Sequence, residues 1–149
     1  MGMGSPSSDT LTAMNIYFAG SIRGGSEDRE LYGRLIGELA AHGTVLTEHV
    51  ARPRDVERGM TDREIHSRDM AWLESADVVV AEVTVPSLGV GYELASAERL
   101  GTPALCLFRP SSGRSLSAMI GGSSLRVAEY STVDEAAHAI RSFLAEVRR

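Results

Sequence analysis

The sequence predicts an α/β protein in which a five-stranded parallel sheet carries helices on both faces. Three observations lead there. Val78-Val79-Val80-Ala81-Glu82-Val83 and Ala104-Leu105-Cys106-Leu107-Phe108 are near-continuous apolar runs, the pattern of strands buried on both faces. Segments with helical spacing alternate with such runs along the chain. The first run is followed closely by the small-residue stretch Ser87-Leu88-Gly89-Val90-Gly91-Tyr92-Glu93 and then by a helical segment. That is where open α/β sheets hold ligands, beyond the carboxyl ends of the strands.

Taken in order, residues 1–13 form a polar Gly/Ser-rich tail, expected to be flexible, and residues 14–149 are expected to form one domain. Met14 to Ala19 reads as the first strand, and Gly20-Ser21-Ile22-Arg23-Gly24-Gly25 as the loop leaving it. Asp28 to Ala41 carries Leu31, Leu35, Ile36 and Leu39 at helical spacing, with Gly43 after it. Thr44 to His49 is expected as a second strand, and Ala51 to Gly59 as a mobile loop able to cover a site. Thr61 with Glu64 three residues on is a capping-box pattern opening a helix to Ser75, whose apolar positions include Ile65, Met70, Trp72 and Leu73; Trp72 is expected in the core. Asp77 to Val83 is the third strand. The segment Leu94 to Leu100 is helical, Gly101-Thr102-Pro103 breaks it, and Ala104 to Phe108 is the fourth strand. Ser115 to Ser123 reads as a polar loop, Leu125 to Ala128 as a fifth strand, and Val133 to Val147 as a closing amphipathic helix. The whole is a doubly wound arrangement of the Rossmann or flavodoxin kind.

Composition removes several function classes. The net charge of -5 gives no broad basic surface, which argues against a nucleic-acid polymer as partner. All 15 basic residues are Arg, so Schiff-base catalysis and a Walker-type phosphate lysine are excluded. Cys106 is the only cysteine, which excludes an internal disulfide and a multi-cysteine zinc site, and its apolar neighbours make it a buried structural thiol. No stretch reaches the length of a membrane span and the tail lacks a signal-peptide core, so no membrane association is expected. The expected location is cytoplasmic, with the nucleus open to a eukaryotic source.

The candidate chemistry centres on Glu93. Ser87, Gly89 and Gly91 suit close approach of a phosphate to backbone N–H groups, and a carboxylate in the first helical turn would be favoured in its ionised form by the helix dipole. Tyr17 on the first strand and Asp69 on the preceding helix supply a hydroxyl and a second carboxylate for attack on a sugar carbon. His49, at the end of the second strand, faces the same edge. The Gly20 to Gly25 loop lacks the G-x-G-x-x-G spacing, so a nicotinamide cofactor is not expected, and no cofactor of any kind is predicted; on its residues alone the loop reads equally as a wrap around a small ligand, with Arg23 as a phosphate or base contact, or as a simple tight turn. His66 and Asp69 share a helical face, but nothing completes a metal site and none is predicted.

Five ordered segments together carry a family resemblance: 17–25 (YFAGSIRGG), 46–50 (LTEHV), 76–84 (ADVVVAEVT), 86–94 (PSLGVGYEL) and 105–110 (LCLFRP). From about Ile16 to Ile120 the chain closely resembles the 2'-deoxynucleoside 5'-phosphate N-hydrolases of the nucleoside deoxyribosyltransferase-like group. The resemblance fades in the tail, in residues 51–62 and in the last helix. It implies hydrolysis of the N-glycosidic bond of a deoxynucleoside monophosphate to free base and 2-deoxyribose 5-phosphate. By matching positions it implies Glu93 as nucleophile, Asp69 as second catalytic carboxylate and Tyr17 as site tyrosine. It further implies substrate contacts from Gly20, Ser21, Ile22, Arg23, Gly24, Gly25 and His49, and phosphate binding by Ser87 and Gly89. The family builds its site at a homodimer interface, so Ser117 and Met119 are expected from the neighbouring subunit. Tyr17 favours deoxyribose, because its hydroxyl competes for the space of a 2'-OH. Three alternatives stay open: a nucleoside deoxyribosyltransferase, a ribonucleoside 5'-monophosphate N-hydrolase, and a nucleotide-binding module without turnover.

Overall fold

The computed structural model describes residues 14–22, 25–51 and 57–149. The tail, Arg23, Gly24 and most of the loop expected over the site therefore lie outside the described residues. Five parallel strands, β1 (Asn15–Gly20), β2 (Thr44–Val45), β3 (Val78–Glu82), β4 (Ala104–Phe108) and β5 (Arg126–Glu129), form one sheet in the order β2-β1-β3-β4-β5. The helices are α1 (Ser26–Ala40), α2 (Asp62–Ser75), α3 (Leu88–Leu100), α4 (Ala118–Gly121) and α5 (Val133–Val147).

Alternation along each strand divides the core in two. Ile16, Phe18, Val78, Val80, Leu105 and Leu107 pack with Tyr32, Leu35 and Leu39 of α1 and Ile140, Phe143 and Leu144 of α5. Tyr17, Ala19, Val79, Ala81, Cys106 and Phe108 face the other way, onto Leu73 of α2 and Val90, Leu94 and Ala97 of α3. Cys106 is fully enclosed, as expected, and burial pushes its thiol up to about 12. Trp72 departs from expectation: it is half-buried at the edge of this layer, with its ring left available to polar neighbours.

This strand order fixes where a ligand can sit. Gly20 of β1 pairs with Glu82 of β3 at the carboxyl end of the sheet, yet the chain leaves β1 toward α1 on one face and β3 toward α3 on the other. The two connections part company and open a crevice, the topological switch point of a doubly wound sheet.

The second strand is shorter than the sequence suggests, and a side chain is the reason. After Leu46 N donates to Ile16 O at 2.9 Å, the Thr47 hydroxyl takes over the next rung: Phe18 N donates to it at 2.8 Å and it donates to Phe18 O at 2.7 Å. With the ladder capped by this buried threonine, the backbone is free to turn. It makes a 3₁₀ turn at Glu48–Ala51, which moves His49 from a strand end into the crevice wall. Smaller departures are that α1 begins at Ser26, that β5 runs one residue later than expected, and that the polar segment after Ser115 contains the one-turn helix α4, capped by the Ser117 hydroxyl. Thr61 caps α2 as predicted, its hydroxyl accepting from Glu64 N at 3.2 Å.

Gly43 is held by close backbone approach: a Cβ there would lie 2.3 Å from the Met14 carbonyl oxygen, which already accepts from Thr44 N at 2.8 Å. Neither partner can retreat without losing the entry of β1 and β2 into the sheet. Gly43→Ala is expected to destabilise the fold by about 1–3 kcal/mol, read as a lower urea midpoint at unchanged slope.

Candidate active site

A cleft of about 460 Å³ opens at the switch point, lined from β1 and its loop by Tyr17, Gly20, Ser21 and Ile22. His49 and Glu57 line it from the β2 side, Ile65 and Asp69 from α2, and Ser87, Gly89 and Glu93 from the start of α3. Nine of the residues singled out from sequence are thus brought to one crevice. Gly25 is the N-cap residue of α1 and is not among the lining residues. Ser117 and Met119 line a different groove, described below.

Each side chain is placed by its element. Tyr17 points to the α2/α3 side of β1 because it alternates with the core residues Ile16 and Phe18. Ser87 is the N-cap of α3, accepting from Val90 N at 3.2 Å through its hydroxyl and from Gly91 N at 3.1 Å through its carbonyl. The Leu88 and Gly89 N–H groups belong to the helix's first turn, where no carbonyl of the helix can reach them. Gly89 is the hinge of the arrangement. A Cβ on it would lie 3.8 Å from Ser87 Oγ and 3.8 Å from Glu93 Oε1, so one small space touches both the capping hydroxyl and the carboxylate.

Since α3 starts at Leu88, Glu93 stands in its second turn and not its first. This corrects the expectation that the helix dipole holds the group ionised, because that effect falls off within the first turn. Burial dominates instead and, with the Asp69 and Glu57 charges, raises the Glu93 carboxyl to about 7; the Tyr17 hydroxyl, donating to it, pulls the other way. Tyr17 is itself pushed far above the usual phenol range, first by burial and then by the Glu93 charge, so it stays a donor.

The wall opposite α3 holds groups that sequence reading passed over. Arg68 donates to Asp69 Oδ1 through Nε at 3.1 Å and Nη2 at 3.0 Å, and to Glu57 Oε1 at 2.6 Å. Its guanidinium lies 4.7 Å from the Trp72 ring, and the His49 ring stands 5.4 Å from Trp72 on centroids. Burial first, and Arg68 second, lower the His49 pKa, so its imidazole is neutral at pH 7. The only signal for this cluster in the sequence was Arg68 beside Asp69. Adjacent helix positions do not face each other, and only the length of the arginine stem lets the two meet. His66, paired with Asp69 in the rejected metal reading, instead meets Tyr92 Oη at 3.1 Å.

The comparisons with known proteins bear on this crevice. The family profile described as nucleoside 2-deoxyribosyltransferase matches residues 16–129, which spans all five strands. The chain belongs to that family. Within this family its relatives include the 5-hydroxymethyl-dUMP N-hydrolase of Mus musculus, 60% identical over 119 residues, covering 77% of this chain and 69% of that protein. The protein of the same name from Tetraodon nigroviridis is 58% identical over 113 residues, covering 73% of this chain and 80% of that protein. Among solved structures, the Clostridium botulinum CMP N-glycosidase BcmB superposes with a TM-score of 0.63 at 16% identity, over 85% of this chain and 98% of that one. At that identity it attests the shared fold.

The Glu93 environment has a consequence for stability. Its folded pKa, about 7, lies above the ordinary 4.5, so folding favours the protonated form. The stabilisation is complete below the unfolded pKa and is lost as pH rises through the folded one, leaving a cost of up to about 3 kcal/mol at pH 8. Glu93→Gln is therefore expected to stabilise the protein at pH 8, by about 2–3 kcal/mol, and to lose that gain below about pH 5. Urea unfolding at the two pH values checks it; equal differences at both would contradict the burial argument.

Proposed function

We propose that the protein hydrolyses the N-glycosidic bond of 2'-deoxynucleoside 5'-monophosphates, 5-hydroxymethyl-dUMP among them, releasing the free base and 2-deoxyribose 5-phosphate. The observation that carries this reading is the single space at Gly89 bounded by Ser87 Oγ and Glu93 Oε1, in a chain 60% identical to a 5-hydroxymethyl-dUMP N-hydrolase. A 5'-phosphate held at Ser87 and the Leu88–Gly89 backbone sets the sugar's C1' against Glu93.

Glu93 carboxylate attacks C1' as the C1'–N bond breaks and its electron pair leaves with the base, which takes up a proton from water in the cleft. The product is a glycosyl ester on Glu93. A water molecule then attacks C1', Asp69 accepts its proton and returns it to solvent, making good the one the base took up, and the ester C–O bond breaks to restore Glu93 and free 2-deoxyribose 5-phosphate. Tyr17 holds the Glu93 carboxylate by its hydrogen bond and crowds the position of a 2'-OH, favouring deoxyribose. Ile22 and His49 line the part of the cleft assigned to the base. A deoxyribosyltransferase would share the first half of this path, but a phosphate seat at Ser87 serves a nucleotide and not a nucleoside.

The active form is proposed to be a homodimer. Leu88 is 97% exposed and Met119 82% exposed, and both line an apolar groove that also contains Ser117 and shares Pro86, Ser87 and Val90 with the cleft. A second copy seated on that groove covers the exposed apolar residues and brings its Ser117 toward the phosphate seat. A cytoplasmic setting completes the reading.

Purified protein incubated with deoxy- and ribonucleoside monophosphates, with and without an acceptor base, is expected to release base from the deoxy series without acceptor. Glu93→Ala should lower kcat by about a thousandfold or more, and the wild-type kcat/KM should fall on the acid side with an apparent pKa near 7. Base exchange only in the presence of acceptor would assign a transferase instead. For the shared site, mixing inactive Glu93→Gln with impaired Ser117→Ala chains should restore activity. One site of each heterodimer then has its own Glu93 and its partner's serine. No recovery on mixing, with heterodimers shown to form, would place Ser117 outside the neighbouring site.

A further inference from the structure

The proposed reaction leaves unexplained the cation packed against its second carboxylate, Asp69. Arg68 is half-buried and commits nearly all of its donors: Nε and Nη2 to the same oxygen of Asp69, Nη2 also to Glu57 Oε1, and Nη1 toward Met60 Sδ at 3.3 Å. His49 Nε2 lies 3.1 Å from Nη2, and the guanidinium plane is backed by Trp72. A side chain needed only for solubility would not be fixed on so many sides.

We propose that Arg68 is a positioning residue for glycosidic cleavage, orienting the Asp69 carboxylate and supplying the positive charge that the three clustered carboxylates Glu57, Asp69 and Glu93 require. The inference rests on the reading of Glu93 as nucleophile. Because both donors converge on Oδ1, Oδ2 is the oxygen of Asp69 left to meet water or substrate. His49 Nε2 lies between Arg68 Nη2, at 3.1 Å, and Glu57 Oε1, at 3.3 Å, so the imidazole is held against the same Arg68–Glu57 pair.

The electrostatic part follows from what faces Glu93. Tyr17 approaches from β1, Asp69 and Arg68 from α2, Glu57 from the segment before α2, and neutral His49 from the 3₁₀ turn after β2. Asp69 and Glu57 both oppose ionisation of Glu93, and Arg68 is paired with both of them. Removing it leaves two unbalanced negative charges beside the nucleophile, which then ionises only at higher pH. A lysine would restore charge but not the fork that grips two carboxylates at once.

The test measures dNMP hydrolysis by the full chain across about pH 5–9 for wild type, Arg68→Met, Arg68→Gln, Arg68→Lys and Glu93→Gln, with melting curves to confirm folding. Arg68→Met and Arg68→Gln are expected to lower kcat about 10–100-fold at nearly constant KM and to move the acid limb of kcat/KM upward by about one pH unit. Arg68→Lys is expected to bring the limb back near its wild-type position while kcat stays several-fold low. A folded Arg68→Gln or Arg68→Met enzyme with wild-type kcat and an unmoved acid limb overturns the proposal. So does a loss confined to KM. Wild-type turnover by Glu93→Gln would instead overturn the nucleophile reading itself, and Arg68's part in it.

Discussion

Glu82 is the point on which the crevice depends. It ends β3 with no exposed surface, and a carboxylate so placed is tolerated only if donors replace the water it has lost. Four do so. Thr84 N donates at 2.7 Å, Thr84 Oγ1 at 3.1 Å and Arg109 Nε at 3.2 Å, and the Tyr130 hydroxyl completes the shell. Arg109 continues to Asp28 in the first turn of α1 at 2.8 Å, and its own N–H donates to Thr84 Oγ1 at 3.0 Å. The ends of β3 and β4, the residue after β5 and the start of α1 are thereby joined through one carboxylate. Breaking such a cluster by deleting one partner costs about 3–5 kcal/mol, since the others are left buried and unpaired. Gly20, Ser21 and Ile22 line the cleft, and the start of α1 is tied to this cluster through Asp28.

The same sheet edge carries a second, half-buried carboxylate with the opposite surroundings. Glu82 faces α1 and α5 and is met by donors from every side, whereas Glu93 faces β1 and α2 and is met by one hydroxyl and two like charges. A carboxylate saturated with donors has no lone pair or reason to react; one with a single donor and a raised pKa retains both. On the proposed reading, two glutamates 11 positions apart in sequence are divided into a structural group and a chemical one by which face of the sheet they meet.

How much of this was legible in the sequence depends on the range of the interaction involved. Apolar runs and helical spacing record burial directly, so β1, β3, β4, α2 and α5 were readable to within a residue or two. The capping threonine at 61 acts over three residues and was equally plain. The length of β2 was not, because it is set by Thr47 bonding to Phe18 across 29 positions. Glu93's ionisation was misjudged for a related reason: the dipole is a local effect, while the burial and the Asp69 and Glu57 charges that outweigh it arrive only when α2 packs beside α3. Arg68 and Glu57 escaped because an exposed-looking helix arginine and a loop glutamate have no pattern of their own. Ser117 could be drawn toward the site only through family resemblance, since within one chain it lines the neighbouring groove.

On the proposed reading, the stretch from Ser87 to Glu93 joins binding to chemistry more tightly than a list of contacts conveys. The phosphate seat is the N-terminus of α3 and the nucleophile is one side chain of its second turn, so their separation is set by helical geometry and not by loop motion. Phosphate held at Ser87 then fixes C1' relative to Glu93 at no further entropic cost, which is how binding energy remote from the reacting bond becomes rate. The arrangement works only if the helix end stays open, and this is what the glycines secure: any side chain at Gly89 would occupy the space that Ser87 Oγ and Glu93 Oε1 share. The cost is a carboxylate kept where neither the dipole nor water supports its charge, offset by the Tyr17 hydroxyl and, on the proposal made for it, by Arg68.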